Sequence, residues 1–435
     1  MRAAVRLARA TCDDAARRLG MSRRDFLRTS MASAATLLAV GACSSDDDGG
    51  PSAGTFDLPP ESTTEPDVAT SVLGGGGAPV IDVQQHLLEV DGYDGGFGLS
   101  FPQAGCGDGD TCFDTAHWLD LVFARSDTTM AVLSAIPVLG EPDPLSAEVM
   151  AAARRAADEL CGDGRVLVQG HAQPNVGPLG AALDAMRAEA ERYDLGAWKS
   201  YTHVGTPWAL DDDIGEAFLG LVEEIGPPIV CVHKGLGGDP TDVGPAAAAH
   251  PDISFVAYHS GYEGGVREGE WTPGSPNGGV DRLLESVRAA GIPAGGNVYA
   301  ELGTTWRSLM GDPDQAAHLL GKLIAALGPG NVLWGTDSIW YGSPQDQIEA
   351  FRAFEITAEA QERFGYGALT EDVKAGILAG NAARLYRVDV VAAACATPAA
   401  DREALRADPP TPDALLGPRT AAQARHVFAA DHPWF

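Results

Sequence analysis

Short apolar runs bounded by glycine, proline or charge recur along the chain at Val80 to Val83, Thr129 to Ile136, Val166 to Gln169, Ala197 to Tyr201, Ile229 to Val232, Ser254 to Tyr258, Val298 to Leu302 and Val332 to Trp334. Their length and punctuation predict buried strands. Between and after them, apolar residues return every three or four positions. That spacing predicts helices over Ala147 to Leu160, Leu179 to Tyr193, Ile214 to Ile225, Val280 to Ala290, Asp314 to Leu327, Gln345 to Ile356 and Glu371 to Leu385. Strands alternating with helices predict a parallel sheet with helical crossovers. Eight such units suit a closed, distorted (β/α)8 barrel of the α/β class better than an open doubly wound sheet. No Gly-x-Gly-x-x-Gly follows the first run, which counts against a dinucleotide-binding fold.

The flanks read differently. Ser22-Arg23-Arg24-Asp25-Phe26-Leu27-Arg28 precedes a weakly apolar, alanine-rich run to Ala42 and resembles a twin-arginine export signal. Val40-Gly41-Ala42-Cys43 resembles a lipobox, which implies a lipid anchor at Cys43 on the outer side of a membrane. No run of eighteen apolar residues is present to add a membrane-spanning helix. The expected organisation is a signal over 1–42, a flexible linker over 43–78, the barrel over 79–390 and a C-terminal extension over 391–435. Linker composition, rich in Ser, Thr, Gly, Pro and acid, predicts disorder there.

Charge narrows the partners. The whole chain carries −30, and 1–42 holds eight Arg against three Asp, a net +5, so the remainder carries −35. Such an acidic surface repels phosphate backbones and anionic headgroups, leaving a small-molecule substrate as the expected partner, membrane contact only through the lipid, and a homo-oligomer open. Cys106 and Cys112 bracket an acidic, glycine-rich loop and are expected to pair in an exported protein.

Chemistry enters at the strand ends. The runs leading to His86, His233, His259 and Asp337 each finish on a metal-competent side chain, and in a parallel barrel all strand ends share one face. Ligands scattered in sequence therefore converge. Ile81-Asp82-Val83-Gln84-Gln85-His86, the two later histidines, Trp334-Gly335-Thr336-Asp337 and Gly380-Asn381-Ala382-Ala383-Arg384-Leu385-Tyr386 together resemble the amidohydrolase superfamily, in its amidohydrolase-related branch.

The resemblance implies a metal-dependent hydrolase acting on an amide, lactone or ester carbonyl through an activated water. His86, His233 and Asp337 inherit ligand roles. His259 inherits that of a second ligand or a group orienting water and substrate, and Asp337 that of the proton acceptor. Gln84 stands where the family has the first histidine of a His-x-His pair and offers only an amide oxygen. Imidazole and carboxylate donors suit Zn2+, with one ion expected and two left open. Lys199 matches the lysine that binuclear relatives carboxylate. Here it could instead contact substrate or pair with Glu301 or Asp337. His171, His203, Trp306 and Trp340, beside strand ends, are candidate substrate contacts. Three other readings stay open: a decarboxylase, a metal-independent lactonase and a non-catalytic binding protein on the same fold.

Overall fold

The computed structural model describes residues 2–27, 29–45, 49–74, 77–89, 113–139 and 143–393. The strands, in chain order, are β1 (Gly54–Phe56), β2 (Ile81–Gln85), β3 (Met130–Leu133), β4 (Val166–Ala172), β5 (Leu195–Tyr201), β6 (Ile229–His233), β7 (Ser254–Tyr258), β8 (Val298–Glu301), β9 (Val332–Leu333) and β10 (Phe354–Ile356). β2 to β9 form one parallel sheet in sequence order. The sheet closes on itself: Val83 N donates to Trp334 O at 3.0 Å, Asp337 N to Gln84 O at 3.0 Å, and His86 N to Ser338 O at 2.7 Å. This is the (β/α)8 barrel the alternation predicts.

Side chains alternate across each strand, and the two faces bury different sets. Ile81, Val83, Met130, Val132, Ala197, Cys231, Val256, Tyr258 and Leu333 fill the interior, which Ala382 and Tyr386 of the closing helix Asn381–Tyr386 also join. Trp198, Val230, Val232, Phe255, Ala257 and Val298 face outward into the layer beneath the helices. The expected helices appear within a few residues of their predicted bounds, with two differences. Gln345–Ala353 stops three residues early because Phe354–Ile356 becomes β10. The span predicted as one helix from Glu371 runs through a π turn at Gly376–Gly380.

The predicted flexible linker is largely packed. β1 pairs antiparallel with β10, Ala53 N donates to Asp314 at 2.8 Å, and Pro66–Leu73 is a helix with Ala69 and Leu73 fully buried. Composition misled because a few apolar residues suffice: Phe56, Leu58 and Leu73 pack on the outer core of the barrel, and Ala69 packs among the N-terminal helices. Ahead of it, Ser30–Ala42 is a helix whose Leu37, Leu38 and Val40 rest on the same outer core, and Phe26 is fully buried. No helix among the described residues is long and apolar enough to cross a membrane. Cys106, Cys112 and the extension from 394 onward lie outside the described residues.

Candidate active site

At the C-terminal ends of the strands, two pairs of the predicted ligands come together. His86 Nε2 lies 2.9 Å from Asp337 Oδ1, and His259 Nε2 lies 3.1 Å from His233 Nδ1. The Gln84 amide joins them, with Nε2 3.0 Å from Asp337 Oδ1, 3.4 Å from His86 Nε2 and 3.5 Å from His259 Nε2. Among the described residues no three His, Cys, Asp or Glu side chains alone form a metal cage. The arrangement is two pairs with an amide between them.

Local backbone explains the aim of each group. His86 donates Nδ1–H to Ser134 O at 2.7 Å, and His259 donates Nδ1–H to Gly303 O at 2.9 Å, so both turn Nε2 toward Gln84. His259 and Asp337 both adopt left-handed backbone, φ 59° and 57°. Such conformations cost about 1–3 kcal/mol and persist where surroundings impose them. Here Glu301 accepts the His259 N–H at 3.0 Å, and Gln84 O accepts that of Asp337.

The Trp-Gly-Thr-Asp run divides its labour by residue. Trp334 packs outward on Phe351, ring centroids 5.1 Å apart. A Cβ on Gly335 would stand 1.8 Å from Glu301 Oε1, so only glycine leaves room for that carboxyl. Thr336 binds Asp82 through its backbone N–H at 3.1 Å and through its hydroxyl. The Asp82–Thr336 bonds tie the first barrel strand to the last directly beneath the site, and Asp82 also takes the N–H of Gln84 on its own strand at 3.2 Å. Asp82 and Thr336 were quoted in the sequence motifs without a role. Their separation of 254 residues hides the bond from any local pattern.

Burial dominates the electrostatics. It drives His259 and His203 down to about 4 and His233 well below the ordinary imidazole value, keeping all three neutral at pH 7 as ligands and acceptors must be. For Asp337 burial pulls upward, but the hydrogen bond and charge of His86 outweigh it and hold the carboxyl below its usual value. Burial lifts Glu301 to about 8 and lowers Lys199 to about 7. Lys199 is completely buried, with Nζ 3.7 Å above the Tyr258 ring and 4.5 Å above that of Tyr201. Its Nζ has no hydrogen-bond partner, so the expected alternative of a structural pair with Glu301 or Asp337 does not hold. Two aromatic faces occupy the places a carboxylate partner would take.

The other candidates divide. The His203 ring lies 4.6 Å from that of His233, tilted by 40°, and its Nδ1 is buried without a partner. Trp340 stacks on His86 at 5.3 Å and 24°, so it braces one of the predicted ligands. His171 sits near the end of β4 against Asp143. Trp306 is not at the site: it is fully buried, donates Nε1–H to Gln347 O at 3.0 Å, and packs on Phe351 and Phe354. It follows a strand end in sequence, but its helix, Thr305–Leu309, turns the indole out into the layer beneath the helices.

Barrel, closing helix and strand-end histidines accord with the family match: the amidohydrolase family model covers residues 81–388, and the chain belongs to that family. None of the curated proteins matches it. Among solved structures it is similar to an uncharacterised TIM-barrel protein from Bordetella bronchiseptica, at 14% identity and TM-score 0.48, covering 71% of this chain and 98% of that one. It is also similar to 5-carboxyvanillate decarboxylase LigW from Sphingomonas paucimobilis, at 15% and 0.41, covering 72% and 100%. A third is a 2-pyrone-4,6-dicarboxylic acid hydrolase assignment from Pseudomonas putida, at 18% and 0.45, covering 71% and 98%. Likeness at this level concerns the fold alone.

Proposed function

We propose that the protein is an exported hydrolase that attacks an amide, lactone or ester carbonyl with water, assisted by one divalent cation at the strand ends. The carrying observation is the spacing of Gln84, His86, His259 and Asp337: Gln84 Nε2 lies 3.0 to 3.5 Å from the other three, and His86 lies 2.9 Å from Asp337. Donors sharing one tetrahedral ion with bonds of about 2.1 Å lie roughly 3.4 Å apart. The two ends of an amide have the same shape, and Gln84 Oε1 is buried without a partner. Turning Oε1 inward gives four acceptors aimed at one place, an arrangement that a cation would stabilise. His86, His259 and Asp337 would hold it, with Gln84 as a weak amide donor that leaves a position for water, and His233 behind His259. Mixed imidazole and carboxylate donors favour Zn2+.

A divalent ion held there would lower the pKa of a bound water toward neutrality and polarise the substrate carbonyl. The chain supplies the rest. Asp337 accepts the water proton, and Lys199 meets a substrate anion or the charge developing on the carbonyl oxygen. Removal of the ion from protein purified without added metal or chelator tests the reading. About one ion per chain is expected, with hydrolysis of an amide, lactone and ester panel lost on chelation and restored by Zn2+. Metal-free protein that hydrolyses at full rate would overturn the metal role.

One observation favours a second reading, a metal-independent lactonase. A single proton between His86 and Asp337, with the Gln84 amide donating to the same carboxylate, satisfies the site without any ion. Chelation separates the two.

Export and lipidation belong to the same proposal. Arg23→Lys with Arg24→Lys should keep the protein in the cytoplasm, and Cys43→Ala should release exported protein from membranes. Membrane association that survives Cys43→Ala would refute the anchor.

A further inference from the structure

A second acid and base pair lies across Tyr201 from the histidine cluster. His171 is in register with Lys199, two residues beyond Gln169, whose amide reaches the interior Tyr258 hydroxyl at 2.7 Å. Alternation along β4 therefore sets His171 on the inward face at the mouth of the barrel. The Tyr201 ring stands 6.3 Å from His171 and 5.3 Å from His233. His171 Nδ1 is 2.8 Å from Asp143 Oδ2, with both side chains only 6% exposed.

The ring is fixed on several sides. Asp143 Oδ1 accepts the Leu145 N–H at 2.9 Å, the His171 backbone N–H goes to Glu189 at 3.0 Å, and the Gln173 amide nitrogen, anchored on Val138 O at 2.8 Å, lies 3.0 Å from Nδ1 and 3.3 Å from Nε2. With Nδ1–H committed to Asp143, Nε2 is the nitrogen left to exchange a proton with a bound molecule that displaces the Gln173 amide from it.

We propose that His171, oriented by Asp143, donates the proton to the leaving group of the substrate. The inference rests on the hydrolytic reading above and adds the acid that reading lacks. Water oxygen forms the new bond to the carbonyl carbon and gives its proton to Asp337. The bond from that carbon to the leaving oxygen or nitrogen breaks, the electron pair departs with the leaving atom, and that atom takes the proton from imidazolium Nε2. His171 regains a proton from solvent and Asp337 releases one, so the net reaction consumes one water. His171 is the catalytic residue of this step and Asp143 its positioning residue.

Leaving-group dependence tests it. His171→Gln should lose about 10²–10⁴-fold on alkyl esters or amides, which need a protonated leaving group. It should lose far less on nitrophenyl esters, whose leaving group departs without a proton. Asp143→Asn should show the same pattern more weakly and abolish the low-field Nδ1 proton resonance of His171. A melting temperature close to wild type shows that each variant folds. Equal loss on both ester series, or an Nδ1 resonance unchanged in Asp143→Asn, overturns the proposal. A wild type that hydrolyses neither series instead fails the hydrolytic reading, and the leaving-group role falls with it.

Discussion

At the scale of single residues, the departure from the family pattern is the most consequential feature. Gln84 faces the site, within 3.5 Å of three candidate ligand atoms, although an amide is a poor metal donor. An imidazole in its place should raise Zn2+ affinity by an order of magnitude or more, roughly the scale by which supporting groups tune metal sites. Competition with a chromogenic chelator on Gln84→His measures this, and unchanged affinity would mean the side chain stays out of the coordination. Lys199 decides between one ion and two. Its Nζ is seated over two tyrosine rings with no bonded partner, and burial brings it to about 7, so near neutral pH the amine is partly uncharged. Lys199→Ala should leave the metal content per chain unchanged while lowering kcat or raising KM. Loss of two bound ions together with the lysine would establish a bridging, carboxylated role instead.

At the scale of elements, the barrel was legible because buried parallel strands read as uninterrupted apolar runs, and each helix carries a one-sided stripe. Strand-end histidines were legible for the same reason: the run ends and a polar residue follows. What escaped was set by contacts distant in sequence. Trp306 follows β8 as closely as a mouth residue would, yet a short helix rotates it into the outer core. Asp143 sits in a loop with no periodicity, and only the fold brings it to His171 28 residues later. The segment before the barrel looked like a tether because its apolar residues are few. Its neighbour, the helix Gln345–Ala353, carries a testable mark of that packing. Burial raises Glu349 from 4.5 to about 7, aided by Asp346 and opposed by hydrogen bonds from Ser33 and Gln345. Between those values the folded chain keeps a proton that the unfolded chain has released, so stability is highest at the acid end of the interval and declines as pH rises through it. Glu349→Gln should make that decline shallower in urea melts across the interval. An unaltered slope would show that the carboxyl is already ionised when folded.

At the scale of the whole molecule, the seam between β2 and β9 carries both closure and chemistry. Asp82 and Thr336 bind across it, Gln85 Nε2 reaches the Thr336 hydroxyl at 3.0 Å, and Gln84 and His86 face Asp337 immediately above. Thr336→Val keeps the shape and removes the hydroxyl, leaving buried partners on Asp82 and Gln85 unmet. It should cost about 1–3 kcal/mol in denaturant midpoint analysis and weaken metal retention together. A stability loss without any effect on the ion would uncouple the seam from the site. The seam also has a meaning in time. Gln84 leaves the ribosome 253 residues ahead of Asp337, and contacts so far apart form late because the intervening chain must first be ordered. A cation bound at the proposed site would therefore meet only half its donors during synthesis. Only a chain whose last barrel strand has docked on its first could keep it, so retention of such an ion would distinguish a finished molecule from one still being made.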